Sequence, residues 1–175
     1  MRTLITAEQI AERVDQLAAQ ITATYVGLPL TVVGVLHGSI VLMADLMRRI
    51  ATPHQIGFIR ASSYRGATTR GGTLDIDVSG LPNINQRHVL LVDDILDTGR
   101  TLHALLFALA DLRPVSLRSA VLLWKQGRQE VSLTPDFHAF QIPDVFVVGY
   151  GLDYNGDYRH LPQIAVLEPS DLGNL

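Results

Sequence analysis

The chain has 175 residues, 47% hydrophobic and 18% charged, with a formal net charge of -3 and a pI near 6.0. That length supplies one packed core and is too short for two ordinary domains, so residues 1–175 are expected to form a single domain. The acidic balance removes a global basic field that would draw the chain to nucleic acid or anionic membrane, and the absence of cysteine excludes disulfides, thiolate zinc sites and cysteine nucleophiles. Small ligands are the expected partners.

The N-terminal stretch MRTLITAEQIAERVDQ becomes charged before an apolar leader region develops, and no apolar run approaches the ~20 residues of a membrane span. A cytoplasmic protein is expected. Thr6 and Gln9 make a capping-box pattern, and Ile10, Val14, Leu17 and Ile21 follow at helical spacing, which predicts an amphipathic helix over 7–24. LTVVGVLHGS reads as a buried strand stopping at Gly38, and IVLMADLMRRI as the helix after it, with Arg48 and Arg49 in its last turn. HQIGFIRASSY is a strand, and residues 64–72, rich in Gly and Thr and poor in apolar anchors, are expected to be a mobile loop. TLDIDV is a further strand, GLPNINQR a turn region, HVLLVD a central buried strand and TLHALLFALADL a helix opened by a Thr-Gly turn. VSLRSAVLLW and VFVVGYG read as two more strands and IAVLE as a last short one. This alternation predicts an α/β fold: a mostly parallel twisted sheet flanked by helices, with ligands beyond the carboxyl ends of its strands.

Asp93 and Asp94 stand at such an end, in VLLVDDILDTGRTL, with Asp97 just beyond. Adjacent carboxylates repel one another and are costly to bury alone, so the segment implies a ligand that pairs with them. The TGRT stretch, Thr98 to Thr101, then places free backbone N–H groups and a helix N-terminus at one point, with the Thr98 and Thr101 hydroxyls beside them. This is a phosphate cradle without the spacing of a Walker loop or of a dinucleotide fingerprint. A phosphate seated there leaves Asp93 and Asp94 to accept from the hydroxyls of an attached sugar.

VLLVDDILDTGRTL resembles the phosphoribosyl-pyrophosphate signature of the type I phosphoribosyltransferases. LLWK ending at Lys125, PDVFVVGYGLDYNGDYRHLP from 143 to 162, ASSY and LHGS are similar, in the expected order, to the hypoxanthine-guanine phosphoribosyltransferases, the purine salvage enzymes. The resemblance spans nearly the whole chain and implies the type I fold with a small hood formed by N- and C-terminal segments. It implies transfer of a 5-phosphoribosyl group to N9 of hypoxanthine or guanine, giving IMP or GMP and pyrophosphate, with Mg²⁺ as cofactor and a homodimer or homotetramer as the assembly. Carried over by position, Asp93 and Asp94 hold the ribose hydroxyls, and Asp97, Thr98, Gly99, Arg100 and Thr101 bind the 5'-phosphate. Asp97 also serves as general base or acid at purine N7, where a carboxylate can manage a proton on the ring that attacks through N9.

The same resemblance implies that Lys125 donates to the 6-oxo group, which disfavours adenine with its amino donor. Phe146 stacks on the purine, Val147 reads its edge through backbone groups, and Asp153 is a magnesium ligand, with Asp93 and Asp94 as further candidates. The competing readings of the same residues are a surface lysine after a strand for Lys125, a core residue for Phe146, a turn former for Asp153 and an exposed arginine without a role for Arg159. Arg159 and the loop of His37 and Gly38 are implied to bind pyrophosphate; His37 departs from the family's usual lysine or arginine, which bears on pyrophosphate affinity and its pH dependence. Ser63 and Tyr64 open the family's flexible lid, whose closure keeps water from an oxocarbenium-like ribose. A xanthine-preferring enzyme differs at the purine 2-position, read by backbone near Val147 and Asp153. LLVDDI also resembles the acidic pocket of receiver domains, but there the acid pair closes the first strand and nothing corresponds to Asp97-Thr-Gly. An RNA-binding regulator on the same fold is disfavoured by the charge of -3 and the lack of a basic aromatic stripe.

Overall fold

A computed structural model describes residues 1–63, 74–168 and 171. The expected mobile loop of 64–72, and Tyr64 with it, lies outside the described residues. The chain opens with strand β1 (Arg2–Ile5) and helix α1 (Ala7–Thr24). Thr6 caps α1 as its spacing predicts: its hydroxyl accepts from the Gln9 amide at 3.3 Å, and the Gln9 side chain accepts from the Thr6 amide at 2.9 Å. Then follow β2 (Leu30–Leu36), α2 (Ile40–Arg49), β3 (His54–Ser63), β4 (Leu74–Asp77), β5 (His88–Leu96), α3 (Arg100–Ala110), β6 (Ser116–Lys125), β7 (Phe137–Ile142), β8 (Val147–Val148) and β9 (Ile164–Val166).

Six of these strands form the main sheet in the order β4-β3-β2-β5-β6-β7, parallel except for β4, which runs antiparallel to β3. The crossover β2-α2-β3 leads to one side of the sheet and β5-α3-β6 to the other, so the connections diverge between β2 and β5. A crevice opens at the carboxyl ends of two strands that part in this way. Helices α1 and α2 cover one face and α3 the other, and β5 feeds both: Leu90 and Val92 enter the α1/α2 cluster, Val89 and Leu91 the α3 cluster. A strand buried on both faces reads as a continuous apolar run, which is why HVLLV shows no alternation. None of the helices among the described residues is long and apolar enough to cross a membrane.

The hood is a separate antiparallel sheet of order β1-β9-β8, joining the two ends of the chain. Three elements differ from the sequence reading. VFVVGYG is a strand only at Val147–Val148 and belongs to the hood, because Gly149, Tyr150 and Gly151 take φ of 98°, 48° and 101° and end the extended chain. The edge of the main sheet is occupied by FHAFQI, β7, whose Phe137, Ala139 and Ile142 are buried. β1, RTLI, is too short and polar to be recognised locally; pairing with β9 makes it a strand.

Because β5 packs against both helical layers, Leu90→Ala and Leu91→Ala are each expected to cost about 2–5 kcal/mol, the range for a leucine cavity in a close-packed core, with an unchanged denaturant m-value in urea unfolding.

Candidate active site

The crevice between β2 and β5 is closed by carboxylates. Asp93 is buried, 8% exposed, and its Oδ1 accepts from the Asp94 amide at 2.9 Å; Asp94 Oδ1 accepts from the Ile95 amide at 2.7 Å. Burial first, and then the neighbouring Asp94 charge, push the Asp93 carboxyl well above the usual range. Burial also raises Asp94, against the hydrogen bonds it receives and the nearby Arg159 charge. Opposite them, Gly38 has no side chain because none fits: a Cβ there would fall on Asp94 Oδ2. Gly151 in turn lies so close to the Gly38 carbonyl that a Cβ would overlap it. The turn after β2, the end of β5 and the turn after β8 are thus stacked with no spare layer. The Leu36–His37 peptide within the first of them is cis.

Beyond Asp97 the chain turns through Gly99 at φ 84° and enters α3. As N-cap, Gly99 offers no side chain to the first-turn amides, and the Thr98 hydroxyl accepts from the Arg100 amide at 3.4 Å. The Thr98 carbonyl is tied down by the Glu130 and Val131 amides at 2.9 and 3.4 Å. Gly38, Asp93, Asp94 and the loop Asp97–Thr101, Arg100 excepted, surround a cavity of about 280 Å³. Amide donors and a helix N-terminus on one wall, and an acid pair on the other, suit an anionic group attached to a polyol.

A second cavity of about 230 Å³ abuts the first and shares Asp94, Ile95 and Asp97 with it. Its other walls are Lys125, Phe146, Val147, Leu152 and Asp153. Lys125, 6% exposed, puts Nζ 3.1 Å from Asp97 Oδ2 and 3.6 Å from Asp144 Oδ1. Arg128 lies 3.1 Å from Asp97 Oδ1 and 3.1 Å from Asp144 Oδ2, so each cation touches both carboxylates. The Arg128 hydrogen bond holds Asp144 below the usual carboxylate range. Asp97 Oδ1 is buried and accepts no hydrogen bond among the described residues, the Arg128 contact being ionic rather than aligned. The Gln129 side chain donates to the Lys125 carbonyl and, at 3.3 Å, to that of Asp97. Phe146 is not core: it is 52% exposed at the cavity rim and meets Tyr154 edge-to-face at 5.6 Å.

Of the residues singled out in the sequence, Gly38, Asp93, Asp94, Asp97, Thr98, Gly99, Thr101, Lys125, Phe146, Val147 and Asp153 line these two cavities. Arg159 does not line them but pairs with Asp153 Oδ1 at 2.7 Å and donates to the Gly151 carbonyl at 2.6 Å. His37 is exposed and lines neither cavity. Arg100 is exposed and its guanidinium turns away to Glu130. Ser63 ends β3 opposite Leu74. Arg128, Gln129 and Asp144 escaped the sequence reading. A polar group three and four residues past a strand-end lysine is a weak local signal, and Asp144 meets Lys125 only because β6 and β7 pair side by side.

The phosphoribosyl transferase domain family matches residues 3–155. The chain is 40% identical over 173 residues to the hypoxanthine-guanine phosphoribosyltransferase of Streptococcus pneumoniae, covering 99% of this chain and 96% of that one. Among solved structures, the hypoxanthine phosphoribosyltransferase of Staphylococcus aureus superposes with a TM-score of 0.90 at 40% identity, covering 97% of this chain and 92% of the other. The hypoxanthine-guanine phosphoribosyltransferase of Bacillus anthracis gives 0.88 at 41% identity, covering 96% and 98%.

The acid pair has a cost that can be measured. A carboxyl whose folded-state pKa lies above its ordinary 3.8 destabilises the fold where it is ionised, and that penalty fades as pH falls through the raised pKa toward 3.8. Asp93→Asn keeps the Oδ1 acceptor for the Asp94 amide and removes the charge. It is therefore expected to raise Tm near neutral and alkaline pH, at about 2–4 °C per kcal/mol for a chain of this size, with the gain shrinking toward pH ~4 in a calorimetric pH series.

Proposed function

Because the chain belongs to the hypoxanthine-guanine phosphoribosyltransferases, we propose that its two abutting cavities seat the two substrates and that Asp97 stands at the point of transfer. The enzyme moves the 5-phosphoribosyl group of phosphoribosyl pyrophosphate to the purine base and releases pyrophosphate. The observation that carries the assignment is the shared wall: Asp94, Ile95 and Asp97 belong to both cavities, so a sugar in one and a base in the other meet there.

In this reading the 5'-phosphate rests on the amides of Thr98–Thr101, and the ribose hydroxyls donate to Asp93 and Asp94, adding to the one amide that each carboxyl already accepts from. The purine enters the second cavity against Phe146, with its edge toward the Val147 backbone. Lys125 donates to its 6-oxo oxygen; adenine, which presents an amino group there, is refused because two donors would face each other. As N9 attacks the anomeric carbon, the proton on N7 passes to the carboxylate of Asp97, which lines both cavities. Lys125 and Arg128 hold the carboxylate in place from two sides. Arg159 and the peptide groups of His37 and Gly38 receive the departing pyrophosphate, and the substitution of His37 for the usual cation leaves more of that work to Arg159 and the backbone.

Mg²⁺ fits this site as a shared ligand. The described residues contain no cluster of three or more His, Asp or Glu that would enclose an ion, whereas Asp153 at the rim, with Asp93 and Asp94, offers hard oxygens of the kind Mg²⁺ takes singly, completing its shell from substrate oxygens and water. Such an ion neutralises diphosphate charge when bound. A single catalytic domain, a homo-oligomeric assembly and a cytoplasmic location belong to the same proposal; for a Trypanosoma cruzi relative of TM-score 0.91, oligomeric state has been connected with the C-terminal region.

Steady-state kcat/KM with hypoxanthine, guanine, xanthine, adenine and uracil tests the reading. Turnover of hypoxanthine or guanine with little from adenine is expected, and xanthine as the best substrate would move the assignment to the xanthine-preferring enzymes. Asp97→Asn is expected to lower kcat by about 10²–10⁴ while phosphoribosyl pyrophosphate binds nearly as before; unchanged turnover removes the general-base role. Lys125→Ala is expected to lower kcat/KM for 6-oxopurines by about 10- to 100-fold and to narrow their advantage over adenine.

A further inference from the structure

Tyr150 holds a conformation that a bulky side chain rarely adopts, φ 48°, between two glycines at 98° and 101°. A residue in such a place costs about 1–3 kcal/mol and persists only where its surroundings over-determine it. Here they do. Its amide donates to the Leu161 carbonyl at 2.8 Å, its ring is buried, and its hydroxyl donates to Asp45 Oδ2 on α2 at 2.5 Å, across 105 positions of sequence. Burial, and next the Asp45 carboxylate, push the phenol far above its usual pKa, so the hydroxyl remains the donor.

Asp45 is itself fixed. Its Oδ1 receives Arg48 at 2.6 Å and Arg49 at 3.0 Å, and Arg49 extends the chain of contacts to Asp15 on α1 at 2.5 Å. Helix α2 starts directly after Ser39, whose hydroxyl donates to the Val35 carbonyl at 2.6 Å, so the turn of His37 and Gly38 is anchored to the same helix that carries Asp45. On the other side of the contact, the Gly151 amide donates to the Arg159 carbonyl at 3.1 Å, the Gly151 carbonyl accepts from the Arg159 guanidinium, and that guanidinium pairs with Asp153. The hydroxyl of Tyr150 therefore ties the turn bearing Arg159 and Asp153 to the helix bearing the Gly38 turn, at the place where Gly151 and Gly38 touch backbone to backbone.

We propose that Tyr150 and Asp45 are a positioning pair for the pyrophosphate-bearing substrate: their hydrogen bond sets the distance between the Gly38 peptide and Arg159, the two sides that grip pyrophosphate. The proposal rests on the pyrophosphate roles given above to that turn and to Arg159. Neither residue lines the two cavities assigned to the substrates. Of the walls of the cavity assigned to the purine, Leu152 and Asp153 sit on the turn that the pair tethers whereas Lys125 and Phe146 do not, so its loss acts on phosphoribosyl pyrophosphate far more than on the purine.

The test compares Tyr150→Phe, Asp45→Ala and Asp45→Asn with the unaltered enzyme in the presence of Mg²⁺. KM is measured for phosphoribosyl pyrophosphate and hypoxanthine in the forward direction and for pyrophosphate in reverse, and Tm for each variant. Tyr150→Phe keeps the ring and loses only the hydroxyl. It is expected to raise KM for phosphoribosyl pyrophosphate and for pyrophosphate by about five- to twentyfold while KM for hypoxanthine stays within about twofold. Asp45→Ala gives the same split, and Asp45→Asn, which keeps an acceptor oxygen, recovers most of it. A fall in Tm with the KM values of all three substrates unchanged, or raised alike, overturns the proposal and leaves the pair a structural contact. Asp45→Ala carries the same test if Tyr150→Phe does not fold. Arg159→Gln separates the two levels: if it weakens pyrophosphate and Tyr150→Phe does not, the pair is wrong and the site reading stands. If Arg159→Gln leaves both pyrophosphate constants unchanged, the site reading fails and the proposal falls with it.

Discussion

Two adjacent carboxylates held out of water at the end of β5 set the terms for everything around them. Asp93 and Asp94 occupy the point where the sheet's connections diverge, the one place in a doubly wound sheet where the backbone parts and leaves a crevice. Their burial is unfavourable without partners, and among the described residues they accept from only two amides, those of Asp94 and Ile95. Gly38 has to lack a side chain because Asp94 fills that space, and Gly151 has to lack one because Gly38 fills the next. The acid pair thus constrains residue identities in two turns far apart in sequence.

Around Asp97 the charges are arranged differently. Lys125 and Arg128 each contact Asp97 and Asp144, a closed ring of two cations and two carboxylates in which every charge has two neighbours of opposite sign. Three members are substantially exposed and screened; Lys125, almost fully buried, is the least screened member. The site therefore joins two kinds of carboxylate. One pair is raised by burial, and a single acid is fixed by cations, with one of its oxygens desolvated. Opposite environments assign opposite work to the same side chain, as proton-handling sites generally require.

Local sequence was a sound guide wherever the controlling interaction was local. The Thr6–Gln9 capping box, the apolar run of β5, and the Thr-Gly turn into α3 each depend on neighbours within a few residues, and each is found where its pattern places it. The two motifs with the densest chemistry, the acid pair with its phosphate turn and the strand-end lysine, are also short, which is why their residues could be named before any packing was known. Sequence was a poor guide where distant pairing decides: β1 exists through β9, β7 takes a sheet edge that its weak alternation did not announce, and VFVVGYG is cut short by a turn whose glycines lie against the backbone of Gln163 and Gly38.

What the sequence determined by itself is the chemistry on offer: a buried strand ending in carboxylates, a turn of free amides at a helix N-terminus, a lysine at the end of a strand, and no thiol. Such properties follow from residue type and from spacing within one or two turns of chain. Only the tertiary structure decided that two cavities share Asp94, Ile95 and Asp97, that Arg128 and Asp144 complete the ring about Asp97, that Phe146 lies at a rim and not in the core, and that Tyr150 reaches Asp45 across 105 positions. Each of these depends on which strands become neighbours and how closely two turns approach, quantities fixed by close packing over the whole chain and written in no single segment of it.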